Sequence, residues 1–211
     1  TPMTTISGFI DGILDGTIKP ESREYYLKIV SDEVKRLSRL VNGMLSVNKL
    51  ESGESVLNVS DFDFYELLCT IMISREQHIE EKRLTIEGLD TMKSVNIKAD
   101  KDLIYQVVYN LVDNAIKFTN EAGKISFLLS QNADSIMFTI TNTGRGIAES
   151  DLPYVFERFY KGDKARSNVK NSTGLGLYIV KTIVNAHNGE ILVKSKENKF
   201  TTFKVIIPKE I

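Results

Sequence analysis

Leu27, Val30, Val34, Leu37, Val41 and Met44 follow one another at intervals of 3-4-3-4-3, and this seam constrains the fold more than any other feature of the chain. An apolar stripe of that period is a coiled-coil or bundle seam, narrower than the face of a helix lying on a globular core. The pattern fades at Asn48, and Ser52-Gly53 closes the helix. Upstream, Ile6, Phe9, Ile10, Ile13 and Leu14 recur at helical spacing until Asp15-Gly16 and Pro20 break the run. Residues 1–52 therefore read as a helical hairpin. Two helices alone bury too little apolar surface, so the seam predicts a four-helix bundle made by two copies of the chain. The plainer alternative is a hairpin docked on its own domain.

After a linker at residues 53–60, residues 61–211 alternate in type. Phe62 to Glu81 contains a helix, and Leu84-Thr85-Ile86 and Val95-Asn96-Ile97 read as short strands. Leu103 to Phe118 is amphipathic, with Leu103, Val107, Leu111, Ala115 and Phe118 on one side. Lys124–Leu129 and Ser135–Thr141 alternate as a strand pair, and Gly144 to Thr173 is a long irregular stretch. Leu175–Ala186 is a further helix, and Glu190–Val193 and Thr202–Ile207 are closing strands. Helices beside a largely antiparallel sheet predict an α+β fold, a two-layer sandwich.

Composition narrows the function classes. With 27 basic and 28 acidic residues, the chain has no dominant electrostatic attraction to nucleic acid or to an anionic membrane. Its single cysteine, Cys69, lies among Leu67, Leu68 and Ile71, which suits a core thiol in a reducing compartment and excludes an internal disulfide framework. No apolar run approaches the ~20 residues that span a bilayer. A soluble, cytoplasmic chain is expected, and because it opens on Thr1 it is expected to be a piece of a longer protein.

Three short segments carry chemistry. Asn110, Asn114 and Lys117 stand at i, i+4 and i+7, so one helix face offers two amides and an ammonium, groups suited to Mg²⁺ and phosphate or to a plain solvated face. Asn142-Thr-Gly144-Arg-Gly146-Ile147 follows a strand, and its two glycines permit a sharp turn and a close approach to a flat ligand. Thr173-Gly174-Leu175-Gly176-Leu177 opens a helix, where free backbone N–H groups favour an anion. Each is generic alone; their order is not.

Taken together, these segments resemble the catalytic and ATP-binding domain of two-component sensor histidine kinases, a member of the Bergerat-type fold shared with gyrase, Hsp90 and MutL. Asn110 to Thr119 is similar to the N box, Asn142 to Ile147 to the G1 box and Thr173 to Leu177 to the G2 box. Phe156-Glu-Arg-Phe159-Tyr160-Lys161 is similar to the F box, and His187 to Ile191 and Thr201-Thr202-Phe203 fit the closing strands. Thr1 to Phe9 resembles the segment just after the phosphoacceptor histidine. The resemblance implies that Asn114 coordinates Mg²⁺ with Asn110 close by, Lys117 contacts phosphate and Phe118 packs near adenine. It further implies that Gly144 and Gly146 make room for the base, Lys161 reaches the γ-phosphate, Gly174 and Gly176 offer backbone donors, and Thr202 lies near the adenine edge. Gly144 to Thr173 would be an ATP lid anchored by Phe156 and Phe159. Thr1 would orient water for dephosphorylation of a partner, or else cap a helix before Pro2. A response-regulator receiver domain and a second copy of the chain are the implied partners, and nucleic acid is not among them. The implied setting is the cytoplasmic portion of a sensor anchored in the membrane through an N-terminal part absent here.

Several positions depart from that pattern. The G1 box usually opens with aspartate, and here Asn142 stands there. A neutral hydrogen bond contributes about 0.5–1.5 kcal/mol against about 1.5–3 for a charged one, so ATP binding is expected to be weakened several-fold rather than lost. Asn171, Ser172, Asn198 and Phe200 stand where glycines are common. The acceptor histidine is expected just upstream of Thr1, and neither His78 nor His187 is expected to replace it, so no autophosphorylation by this chain alone is expected. The alternative functions are a degenerate kinase acting as a docking or phosphatase module, and another ATPase of the same superfamily.

Overall fold

The computed structural model describes residues 2–51, 57–161 and 174–210. The chain divides into two compact units, Thr1–Asn48 and Lys49–Ile211.

The first unit is the hairpin. Helix α1 (Pro2–Leu14) leads through a single 3-10 turn at Pro20–Ser22 into helix α2 (Arg23–Glu51). Pro20 at the first position of that turn has no N–H to leave unsatisfied there. The Ile18 N–H donates to the Gly12 carbonyl at 2.7 Å, and the Phe9 and Tyr26 rings meet at 5.0 Å. Val30 and Leu37 are half-buried, whereas Leu27, Val34, Val41 and Met44 keep 52%, 45%, 48% and 43% of their surface exposed. A hairpin in isolation thus leaves the heptad position of Leu27, Val34 and Val41 uncovered, and with it the far end of the seam at Met44.

The second unit places helices on one face of a five-stranded sheet. Its strands are β1 (Val59–Asp63), β2 (Thr85–Glu87), β3 (Asn96–Asp100), β4 (Lys124–Gln131), β5 (Ser135–Thr143), β6 (Glu190–Lys196) and β7 (Phe200–Pro208). The sheet order is β2-β4-β5-β7-β6, antiparallel except for the parallel β2–β4 pair, and β1 and β3 form a separate antiparallel ribbon. Helices α3 (Phe64–Ser74), α4 (Glu76–Glu81), α5 (Lys101–Phe118) and α6 (Gly176–Ala186) complete it. Asp63 and Asp100 start α3 and α5 as N-caps, their carboxylates accepting from the N–H of Tyr65 at 2.8 Å and of Leu103 at 3.2 Å. The core joins Leu68 and Ile71 of α3, Val108, Leu111 and Val112 of α5 and Val180 and Ile183 of α6 to Ile125, Phe138, Ile140 and Val205 of the sheet. Burial of each such side chain stabilises the unit by roughly 1.5–3 kcal/mol before chain entropy is counted.

Four expectations differ from this architecture. Part of the expected linker is strand, because Val59–Asp63 pairs with β3. The expected single helix is α3 and α4, broken at Arg75, whose φ of −112° is not helical. The buried side of α5 is Ile104, Val107, Val108, Leu111, Val112, Ala115 and Ile116, with Leu103 and Phe118 only half-buried at its rim. Asn142 belongs to β5 itself rather than to a loop after it.

His187 closes α6 as a structural residue. It is fully buried, its Nδ1 lies 2.8 Å from the Ile183 carbonyl, and its Nε2 accepts the Asp100 N–H at 3.2 Å. Nε2 can accept only if the proton is on Nδ1, so the ring is the neutral Nδ1–H tautomer. Burial pushes its pKa below the ordinary value of 6.5. The imidazole thereby ties the end of α6 to the start of α5.

Candidate functional site

Asn110, Asn114 and Lys117 lie half-buried along one edge of α5, as the i, i+4, i+7 spacing predicts. The Nδ2 of Asn110 is buried and, among the described residues, has no hydrogen-bond partner. An amide left in that state carries its full desolvation cost unless a ligand or water meets it. Gly176, the first residue of α6, faces it. A Cβ built on Gly176 would stand 3.6 Å from Asn110 Oδ1, an ordinary contact, so the fold alone does not require glycine there. Gly174 is different. Its φ is +73°, and a Cβ would come within 2.7 Å of the Phe159 backbone. Among the described residues no side chain caps the N-terminus of α6 and no acidic residue occupies its first turn, and the positive end of a helix dipole favours an anion. Leu175 is buried and Leu177 half-buried beside it.

The turn after β5 is wedged between two other elements. Gly144, at φ +148°, sits where a Cβ would lie 2.3 Å from the Phe118 carbonyl, and Gly146, at φ +65°, where it would lie 2.2 Å from the Lys196 carbonyl. The Gly144 N–H donates to Lys199 O at 3.1 Å, the Asn198 N–H to Arg145 O at 2.5 Å, and the Ile147 N–H to Ser195 Oγ at 2.8 Å. Asn198 itself has φ +58°, a left-handed conformation that asparagine tolerates, which is how it serves where glycine is common. Arg145 places its guanidinium 5.0 Å over the Phe118 ring, and Lys117 holds its ammonium 5.8 Å from the same ring.

Asn142 is 5% exposed on the helix-facing side of the sheet. Its register partners are Ile125 on β4 and Thr201 on β7. That register separates Thr202 from Asn142. Thr202 pairs with Thr141, their hydroxyls 2.9 Å apart, on the opposite face of the sheet from Asn142. Successive strand residues point to opposite faces, so Thr201 and not Thr202 shares the site's side. Buried Thr201 meets Ser195 Oγ at 2.9 Å. The sequence signal existed: Thr201, Phe203, Val205 and Ile207 alternate as one buried row.

Lys82 escaped sequence reasoning. Its ammonium donates to the carbonyls of Ile116 at 2.8 Å, Lys117 at 3.0 Å and Thr119 at 2.8 Å, closing the C-terminus of α5 where the site ends. Desolvation lowers its pKa, and the three acceptors compensate the buried charge. A lysine between Glu81 and Arg83 gives no local sign of this; the contact spans more than thirty residues.

The F-box segment is met only in part. Phe156 packs edge-on to Phe203 at 6.3 Å, as an anchor should. Phe159 does not anchor through its ring, which is 57% exposed; its backbone, at φ +61°, is what Gly174 rests against. Lys161 is half-buried at the edge of the described segment. Thr1 and Thr173, and most of the second half of the expected lid, lie outside the described residues. A groove of about 720 Å³ lined by Phe156, Arg158, Tyr178, Lys181 and Asn185 runs along α6 on the F-box side, without touching Asn110, Asn114 or Asn142.

Among the described residues no three His, Cys, Asp or Glu side chains gather to hold a metal ion. A divalent cation here would depend on an amide oxygen and on oxygens of the ligand itself. That donor set suits Mg²⁺, which keeps waters and phosphate oxygens in preference to a full protein cage. No helix among the described residues is long and apolar enough to cross a membrane.

The chain is similar to known proteins along nearly its whole length. Residues 99–211 match the family described as "Histidine kinase-, DNA gyrase B-, and HSP90-like ATPase", and residues 1–53 match "His Kinase A (phospho-acceptor) domain". The sensor protein SrrB of Staphylococcus aureus is 37% identical over 210 residues, 99% of this chain and 36% of SrrB, so the chain spans about a third of that relative's length. The Acinetobacter baumannii histidine kinase AdeS superposes with a TM-score of 0.81 at 29% identity, covering 99% of this chain and 95% of that one. Histidine kinase ThkA, solved in complex with the response regulator TrrA, superposes with a TM-score of 0.75 at 28% identity, covering 99% and 58% respectively.

Proposed function

From the premise that this chain belongs to the two-component sensor histidine kinases, we propose that its second unit binds Mg-ATP and directs the γ-phosphoryl group to a histidine outside these 211 residues. The observation that carries the reading is the convergence on α5. Gly176 stands against Asn110 with room that the fold does not need, Gly144 is pressed onto Phe118, and the buried Asn110 amide awaits a partner.

In this reading Asn142 and Thr201 meet the base edge, and the Phe118 ring, flanked by Arg145 and Lys117, lies beside the base. Lys117, Asn110 and the first turn of α6 take the phosphates, and Lys161 the γ-phosphate. Asn114 would supply an oxygen to Mg²⁺, which neutralises charge on the phosphates. The chemistry asked of the protein is positioning and charge stabilisation. The bond between the γ-phosphorus and the β–γ bridging oxygen breaks, a bond from phosphorus to an imidazole nitrogen forms, and ADP leaves. His187 is unsuited to accept, being buried with both ring nitrogens engaged, and His78 lies on α4 outside the hairpin.

The exposed heptad position Leu27, Val34 and Val41 supports a second copy of the hairpin as its cover. A response-regulator receiver domain is the proposed downstream partner, by likeness to the ThkA–TrrA complex. Calorimetric titration with a non-hydrolysable Mg-ATP analogue tests the central reading. Saturable binding that Asn114→Ala abolishes is expected, and absence of binding by the wild-type chain would sink it.

A further inference from the structure

Asn142 is the one buried polar side chain on its face of β5, and both of its neighbours in the sheet are uncharged: Ile125 on β4 and Thr201 on β7. Among the described residues its amide makes a single hydrogen bond, from Nδ2 to the Thr143 carbonyl at 3.1 Å. Among the described residues no hydrogen bond runs between Thr201 and that amide; the Thr201 hydroxyl meets Ser195 Oγ at 2.9 Å. The buried Thr119 hydroxyl nearby in the chain of contacts through Gly144 is committed as well, donating to Ala115 O at 2.5 Å. Rotating the amide by half a turn would therefore forfeit one neutral hydrogen bond and nothing ionic.

A carboxylate and an amide differ in what they can read. A carboxylate only accepts, so it takes the 6-amino group of adenine and repels the 6-oxo group of guanine or hypoxanthine. An amide presents one acceptor and two donors side by side. In one orientation its oxygen accepts from adenine N6 while its nitrogen donates to N1. In the other its nitrogen donates to O6 of a 6-oxopurine while its oxygen accepts from N1–H. Both pairings are two-point, and the protein around Asn142 enforces neither.

We propose that this site accepts 6-oxopurine nucleoside triphosphates as well as ATP, with Asn142 as the residue that relaxes base selection. The inference rests on the reading of the site as a nucleotide site with Asn142 at the base edge. Its test is calorimetric titration of the 211-residue chain with Mg²⁺ and non-hydrolysable analogues of ATP, ITP and GTP, on wild type and on Asn142→Asp. In the wild type the ITP analogue should bind within about tenfold of the ATP analogue. In Asn142→Asp, ATP should tighten several-fold and the gap to ITP should widen by about tenfold or more, the reach of one two-point base contact. GTP binding alongside ITP would show that the guanine 2-amino group is accommodated too; ITP binding without GTP would assign hypoxanthine as the second base. Wild-type ATP binding with ITP about a hundredfold weaker would overturn the inference and leave the nucleotide site standing. Equal ATP and ITP affinities in both proteins would remove Asn142 as the selecting residue. Should no nucleotide bind the wild type, the reading beneath the inference fails and the inference with it. If the variant does not fold, competition between ATP and ITP on the wild type alone still decides whether the second base is accepted.

Discussion

Asn142 and Thr201 are register partners across β5 and β7, while Thr202 pairs with Thr141 on the other side of the sheet. The Thr201→Val and Thr202→Val substitutions keep shape and remove one hydroxyl each. Thr201→Val should weaken ATP binding by about three- to tenfold, the worth of one neutral hydrogen bond. Thr202→Val should leave it within about twofold. Equal effects of the two changes would mean that the base edge does not lie on the helix-facing side.

Gly174 and Gly176 should fail in opposite ways. Gly174→Ala forces a side chain into φ +73° and to within 2.7 Å of the Phe159 backbone, so it should lower stability by about 1–3 kcal/mol. Gly176→Ala meets only Asn110 at 3.6 Å and gains helix propensity, so its thermal midpoint should hold or rise. Its nucleotide affinity should fall by about tenfold or more, because the added methyl enters space that the fold leaves open. Thermal melts paired with nucleotide titrations separate the two; a Gly176→Ala protein that melts early but binds normally contradicts this assignment.

His187 gives the stability a pH dependence of predictable sign. Its folded pKa is below 6.5, so above 6.5 the ring is neutral in both states and the two contacts to Asp100 and Ile183 are intact. Below 6.5 the unfolded chain takes up the proton first, and stability falls until the folded pKa is reached. From about pH 7.5 to about pH 5.5 stability in urea unfolding should fall, and His187→Gln, which keeps an acceptor and a donor without titrating, should flatten that fall. A slope unchanged in that variant would assign the pH dependence to other groups.

Lys82→Met removes three donors from the end of α5 while keeping the aliphatic stem. It should cost about 1–3 kcal/mol of stability. Because the Lys117 carbonyl and the segment under Gly144 lose their cap, nucleotide affinity should drop too, and Lys82→Arg should restore most of it. Full stability in the methionine variant would show that water replaces the ammonium there.

Periodicity carried most of this fold into the sequence, because helical and strand spacing are local. The α2 seam, the α5 stripe and the alternation of β5 and β7 could all be read without coordinates. The box residues were legible as a set because their order along the chain is distinctive. What stayed hidden was non-local. Lys82 reaches α5 from the turn after α4, His187 meets Asp100 eighty-seven residues away, and β1 became a strand only through its partner β3. Thr201 was within reach, since the buried row it heads is visible in the alternation, but a neighbour in a run of two threonines is decided by face and not by type.

Backbone groups fasten the turn that follows β5: Gly144 to Lys199, and Asn198 to Arg145. Among the described residues the Asn142 amide bonds only the neighbouring Thr143 carbonyl, so its exchange leaves those backbone contacts in place. A base contact at Asn142, as proposed, is therefore open to retuning at a single position without rebuilding the scaffold that carries it.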